Sequence, residues 1–187
     1  MQTRSMLAYV YLAVTVLLSG CQTLPATPQE ALNRLPEYIP TPTGYRPETT
    51  RVLETFEAAG GTIIVYAWQA DEVGGGQCRL AAAYVTPDGL GWRPQSTLSL
   101  AEPLGAECQP DALTTGTLSG SEVSALTAVF GASDRGVAVR LTWPDGQTQV
   151  VPLTNGVFVQ ARPEVFTTWE LELLDAFGNV IERESLT

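Results

Sequence analysis

The sequence predicts an all-β chain, an antiparallel β-sandwich of immunoglobulin-like or related type, allowing one short helix near the N-terminus. Three observations carry that expectation. Short runs rich in β-branched and aromatic residues recur through the second half of the chain. Pro144-Asp145-Gly146, Asn155-Gly156 and Asp175-Ala176-Phe177-Gly178 separate those runs with residues that accept hairpin dihedrals. Alternation is visible as well: Val137, Val139 and Leu141 oppose Arg140 and Thr142, and Trp169, Leu171 and Leu173 oppose Glu170 and Glu172. Strands with one dry face need a second layer to cover it.

In chain order, the first element is an apolar run from Met6 to Leu18, preceded by Arg4. It is too short to span a bilayer and has the make-up of an export leader, so residues 1–20 are expected to be removed. Residues 21–50 carry Pro25, Pro28, Pro36, Pro40, Pro42 and Pro47. Such a segment favours extended backbone and is expected to be a proline-rich tether; the alternative is an arm wrapped on the domain through Leu35, Tyr38 and Ile39. A turn of helix fits only around Gln29 to Leu35, starting at Thr27 or Pro28.

Residues 51–187 form the expected β-sandwich domain, with two subdomains meeting near 118–123 as a variant. Arg51 to Ala59 is ambiguous between helix and strand, because Val52 and Phe56 fit both periods. Thr62 to Trp68 reads as a buried strand, and Gln69 through Gly76 as a hairpin loop. Cys78 to Val85 follows as a strand, Pro87-Asp88-Gly89 as a turn, and Gly91 to Leu98 as the returning strand. Ser99 to Thr117 reads as irregular. Six further strands are expected at Val123–Phe130, Val137–Trp143, Thr148–Leu153, Val157–Gln160, Trp169–Leu174 and Asn179–Glu184.

Leu18-Ser19-Gly20-Cys21 ends the leader with small residues before a cysteine and matches the lipobox pattern L-[AS]-[GA]-C at all four positions. In this the chain resembles the bacterial lipoproteins. The resemblance implies cleavage before Cys21 and lipidation of its thiol with diacylglycerol, the amino terminus carrying a further acyl chain such as palmitate. Two or three acyl chains make a stable membrane anchor, each buried CH₂ contributing about 0.8 kcal/mol. Gln22 after Cys21 implies the periplasmic face of the outer membrane in a diderm cell, and the outer face of the cell membrane in a monoderm one. The stretch from Val129 onward also resembles β-sandwich modules at the ends of uncharacterised bacterial exported proteins. The residues that carry this are Val129-Phe130-Gly131, Trp143-Pro144-Asp145-Gly146, Asn155-Gly156-Val157-Phe158 and the run Leu171-Glu172-Leu173-Leu174-Asp175-Ala176-Phe177-Gly178-Asn179-Val180.

Outside the leader, nine arginines face twenty carboxylates for a net charge of −11, and lysine and histidine are absent. That field repels nucleic acid, which is not expected as a partner. Cys78 and Cys108 are an isolated pair in an exported chain, and a disulfide is their expected state. Without histidine there is no Ser-His-Asp, Cys-His or HExxH chemistry, and without lysine no Schiff base. No cofactor is expected; calcium among the acidic loops is the weak exception, since nothing approaches the D-x-[DN]-x-[DN]-G loop.

Two functions follow. The first is a lipid-anchored extracytoplasmic binding or structural accessory protein of the cell envelope, joined to the membrane by its lipid and to a protein or other envelope component by its domain. Tyr66, Trp68, Trp92 and Trp143 are its candidate binding surface if exposed together, the alternative being that they fill the core. The second is a carboxylate-dependent glycan hydrolase or lyase, for which Glu54 with Glu57, Asp71 with Glu72, or Glu170 with Glu172 are the available pairs. No catalytic residue is assigned.

Overall fold

The structure is a computed structural model that describes residues 24–41, 44–58, 60–70, 76–105, 108–110, 112–119 and 126–186. Cys21, Asp71, Glu72 and the start of the strand expected at Val123 lie outside the described residues. Among the described residues, eleven antiparallel strands form three sheets. Sheet 1 is a meander of β1 (Arg51–Ala58), β2 (Gly61–Gln69), β3 (Cys78–Asp88) and β4 (Gly91–Pro103). Sheet 2 has the order β5 (Thr114–Ser119), β6 (Thr127–Ala132), β9 (Val157–Arg162). Sheet 3 has the order β11 (Val180–Leu186), β10 (Trp169–Leu174), β7 (Ala138–Thr142), β8 (Thr148–Pro152). Sheets 2 and 3, three strands against four with the chain crossing from β6 to β7, from β8 to β9 and from β9 to β10, have the Greek-key arrangement of an immunoglobulin-like sandwich.

Burial explains why β2 and β3 read as unbroken apolar runs. Ile63, Val65, Ala67, Leu80, Ala82 and Tyr84 pack on Ala128, Phe130, Ala132, Val157 and Val159 of sheet 2. The intervening residues Ile64, Tyr66, Trp68, Ala81, Ala83 and Val85 face the other way, onto the N-terminal segment. Sheet 2 is itself dry on both sides, because Val129 and Phe158 pack on Val139, Leu141, Trp143, Trp169, Leu171 and Leu173. Three β layers and an arm thus share three continuous apolar seams.

The arm corrects the expectation of a tether for the described part of residues 21–50. Helix α1 (Pro28–Asn33) places Ala31 and Leu32 on sheet 1, and Leu35 follows from a 3₁₀ turn; all three are fully buried. Thr27 caps the helix by accepting from Glu30 N at 3.1 Å, Pro28 occupies its first turn, and Glu30 Oε2 accepts from Ala26 N at 2.8 Å. The physical reason is the second apolar face of β2 and β3, which water would otherwise meet.

Other boundaries moved for local reasons. Arg51–Ala58 is a strand, with a register shift between Val52 and Glu54. The segment expected to be irregular contains the end of β4 and the first four residues of β5. β4 is an edge strand, which is why it tolerates Pro94 and Pro103. β5 is rich in threonine and lacks the apolar alternation that exposed the other strands. The β3–β4 turn is Gly89-Leu90, with Gly89 at φ 61° and Pro87 inside the strand opposite Trp92. Cys78 and Cys108 form the expected disulfide, which fastens the connection after β4 back to the start of β3.

Candidate functional site

The aromatics nominated from the sequence do not make a common surface. Tyr66 and Trp68 lie under the arm, 0 % and 1 % exposed, with the Tyr45 ring edge-on to both at centroid distances of 6.4 and 5.3 Å. Thr97 Oγ1 donates to Ala82 O at 3.1 Å, which makes the Tyr66 hydroxyl the donor in its 3.0 Å bond to Thr97. Burial drives the Tyr66 phenol well above its ordinary range, so it stays protonated. Trp143 is buried in the separate seam between sheets 2 and 3, and Trp92 is half-buried on β4 beside the arm. Aromatic rings of this size fill the cores of small sandwiches, and here they do so in two different ones.

Of the carboxylates nominated from the sequence, Glu172 and Glu54 accept hydrogen bonds within the fold, and Glu57 and Glu170 are exposed. Glu172 accepts from Arg183 Nε at 2.9 Å and from Arg140 Nη1 at 2.6 Å, and those two bonds hold its carboxyl below the usual range. Asp145 accepts from Gln147 N at 2.9 Å and from Arg162 Nη1 at 2.7 Å, which lowers it likewise. Arg162 also donates to Gln147 Oε1 and stacks over Trp143 and Phe166, at 5.1 and 5.7 Å from their centroids. Glu54 Oε1 accepts from Thr55 N at 3.0 Å. Among the described residues, no three acidic, thiol or imidazole groups converge at metal-binding range.

A different surface emerges from the topology. β1 runs alongside β9, since Arg51, Val52 and Leu53 share a groove with Asn155 and Val157, and Phe56 to Ala58 share another with Val159 to Pro163. The molecule therefore has two ends. One end carries the β6–β7 loop (residues 133–137), the β8–β9 turn (153–156) and the β10–β11 turn (175–179), the loop set by which immunoglobulin-like sandwiches present a binding surface. Ser133 N donates to Gly156 O at 2.8 Å and Val137 N to Leu174 O at 2.9 Å, which brings the three together.

Phe177 stands at the tip of the third turn, 90 % exposed. Its turn is fixed from within. Asp175 Oδ1 accepts from Phe177 N at 2.8 Å and Asn179 N at 2.9 Å, Asp175 Oδ2 accepts from Asn179 Nδ2 at 3.0 Å, and Gly178 N returns to Asp175 O at 3.0 Å. Gly178 at φ 82° takes the left-handed position that this closure needs. The Asn179 amide, with the backbone donors behind it, holds the Asp175 carboxyl below the usual range. Val137, whose amide donates to Leu174 O just before this turn, is half exposed, and Asn155-Gly156, at φ 52° and 76°, closes the neighbouring hairpin. Arg135 Nη1 reaches Glu182 Oε2 at 3.3 Å and ties the first loop to β11. In the sequence this site shows only as turn punctuation; the one signal of it is an aromatic at a turn tip where a polar residue would suffice. Comparison with protein-family models, curated proteins and solved structures returned no match for this chain.

Proposed function

We propose that this chain is a lipid-anchored extracytoplasmic protein of a bacterial cell envelope, and that its sandwich binds a protein partner through the loop end that carries Phe177. The observation that carries the reading is a large apolar side chain in water on a turn already closed by its own hydrogen bonds. Docking through a loose loop costs backbone order as well as the ring's rotation, whereas a pre-formed turn has already met the backbone part. Val137 widens the apolar contact, and Arg135, Asp134 and Asn155 supply a polar rim. The anchor rests on Leu18-Ser19-Gly20-Cys21, and the strongly acidic body argues for a protein or envelope component as partner over nucleic acid.

Two measurements test this reading. Intact mass of the N-terminal peptide from membranes should show a diacylated Cys21, and Cys21→Ser should release the protein from the membrane fraction. Crosslinking in envelopes should give a defined adduct with the unsubstituted chain. Phe177→Ala should weaken that association about tenfold or more, the usual result of truncating an aromatic anchor, and leave the melting temperature unchanged. Equal adduct yields from both chains would remove the loop end from the interface.

A further inference from the structure

The N-terminal arm changes what the anchor does to the domain, an inference that rests on lipidation at Cys21. Leu24 and Pro25 are docked: Trp92 N donates to Pro25 O at 2.8 Å, and a side chain on Gly91 would run into Leu24 Cβ at 2.4 Å and Pro25 O at 2.8 Å. Gly91 therefore leaves the bed on which the arm begins. A free spacer over residues 22–50 would reach roughly 90 Å in extended form. From Cys21 to the docked Leu24 the covalent limit is about 11 Å.

Leu24 sits against the β3–β4 hairpin, at the end of the molecule opposite Phe177. Ala58 and Glu57 border Trp92 and Gly60 on one side and Arg162 and Pro163 on the other, so the β3–β4 turn and the β9–β10 loop belong to the same end. Among the described residues, that end carries two exposed large apolar side chains: Leu90, fully exposed at the hairpin tip, and Val165, two-thirds exposed in the loop. Two acidic groups there are paired, Asp88 with Arg93 and Asp145 with Arg162, each at 2.7 Å, while Glu57 and Glu164 face solvent.

We infer that the domain is seated directly on the lipid surface, with Leu90 at the tip of the β3–β4 hairpin entering the interfacial layer and Phe177 held at the far end. A link of three residues confines the docked Leu24 to the headgroup region, and the exposed leucine beside it is the side chain that interface would take. The neutral pairs suit a zwitterionic surface.

The test imposes the anchor chemically. With Cys78 and Cys108 bridged, Cys21 of the mature chain is the thiol to couple to a maleimide lipid in phosphatidylcholine vesicles that contain brominated phosphatidylcholine. Leu90→Trp should show blue-shifted emission and a loss of intensity beyond that of the unsubstituted chain, and Phe177→Trp should show neither. Inserting twelve Gly/Ser residues between Thr23 and Leu24 should restore the Leu90→Trp emission. Equal quenching of the two variants, quenching of neither, or quenching that survives the insertion would overturn the seating. Since the anchor is supplied by coupling, these outcomes are independent of whether cells acylate Cys21, which the N-terminal mass reads separately.

Discussion

Asp175 shows how one short side chain fixes a functional geometry. Both of its oxygens are used, three donors converge on it, and its carboxyl is held low chiefly by the Asn179 amide. Asp145 and Glu172 are depressed for related reasons, chiefly the Gln147 backbone amide in one case and Arg183 in the other. A carboxylate whose folded pKa lies below its unfolded value stabilises the fold above the ordinary carboxylate range and loses that contribution as pH falls through the folded pKa. The melting temperature should accordingly decline below about pH 5, and Asp175→Ala should flatten part of the decline. Thermal melts across that range check it, and a midpoint that rose on acidification would contradict it. The same substitution should speed amide exchange at Phe177 and Asn179, where the two backbone donors lose their acceptor.

At the scale of elements, the arm and the bridge are the two attachments that hold loose chain onto sheet 1. Leu32→Ala empties a fully buried site between α1 and Tyr66, Trp68 and Ala83, and should cost about 2–5 kcal/mol in denaturant titration. Reducing Cys78–Cys108, whose sequence separation is 30 residues, should cost roughly 3–4 kcal/mol on the chain-entropy account. The elements also show what the amino-acid order makes legible. Sheet 3 was readable at β7 and β10 because each of these strands has one wet and one dry face, so alternation is written into the residues. β2 and β3 were readable as strands but not as a doubly covered layer, since a continuous apolar run carries no information about what covers it. β5 was lost because Thr114, Thr115 and Thr117 suit a strand through β-branching without an apolar signature. The arm was masked by its prolines, which suit both a spacer and a docked irregular chain. Phe177 and Leu90 were hidden for a common reason: turn chemistry explains their neighbours so completely that the tip residue passes unnoticed.

For the molecule as a whole, sheet 2 is the shared wall. Its β6 is buried along its whole length, with sheet 1 on one side and sheet 3 on the other. Neither outer sheet can leave without wetting that wall, so calorimetry should record a single transition with matching calorimetric and van't Hoff enthalpies. Two resolved transitions would mean that the outer layers separate independently. The two ends of this stack are chemically distinct: docked chain start, Leu90 and Val165 at one, Phe177 and Val137 at the other.

The burial of Trp68 beneath Tyr45 and α1 has a practical corollary in spectroscopy. Of the four tryptophans, Trp68 and Trp92 belong to the seam that the arm closes, and Trp143 and Trp169 to the seam between sheets 2 and 3. Peeling the arm away would hydrate the first pair alone and shift only their share of the emission to longer wavelength. The chain thus contains its own optical gauge of arm attachment, one that needs no label and that Trp68→Phe combined with Trp92→Phe would silence selectively.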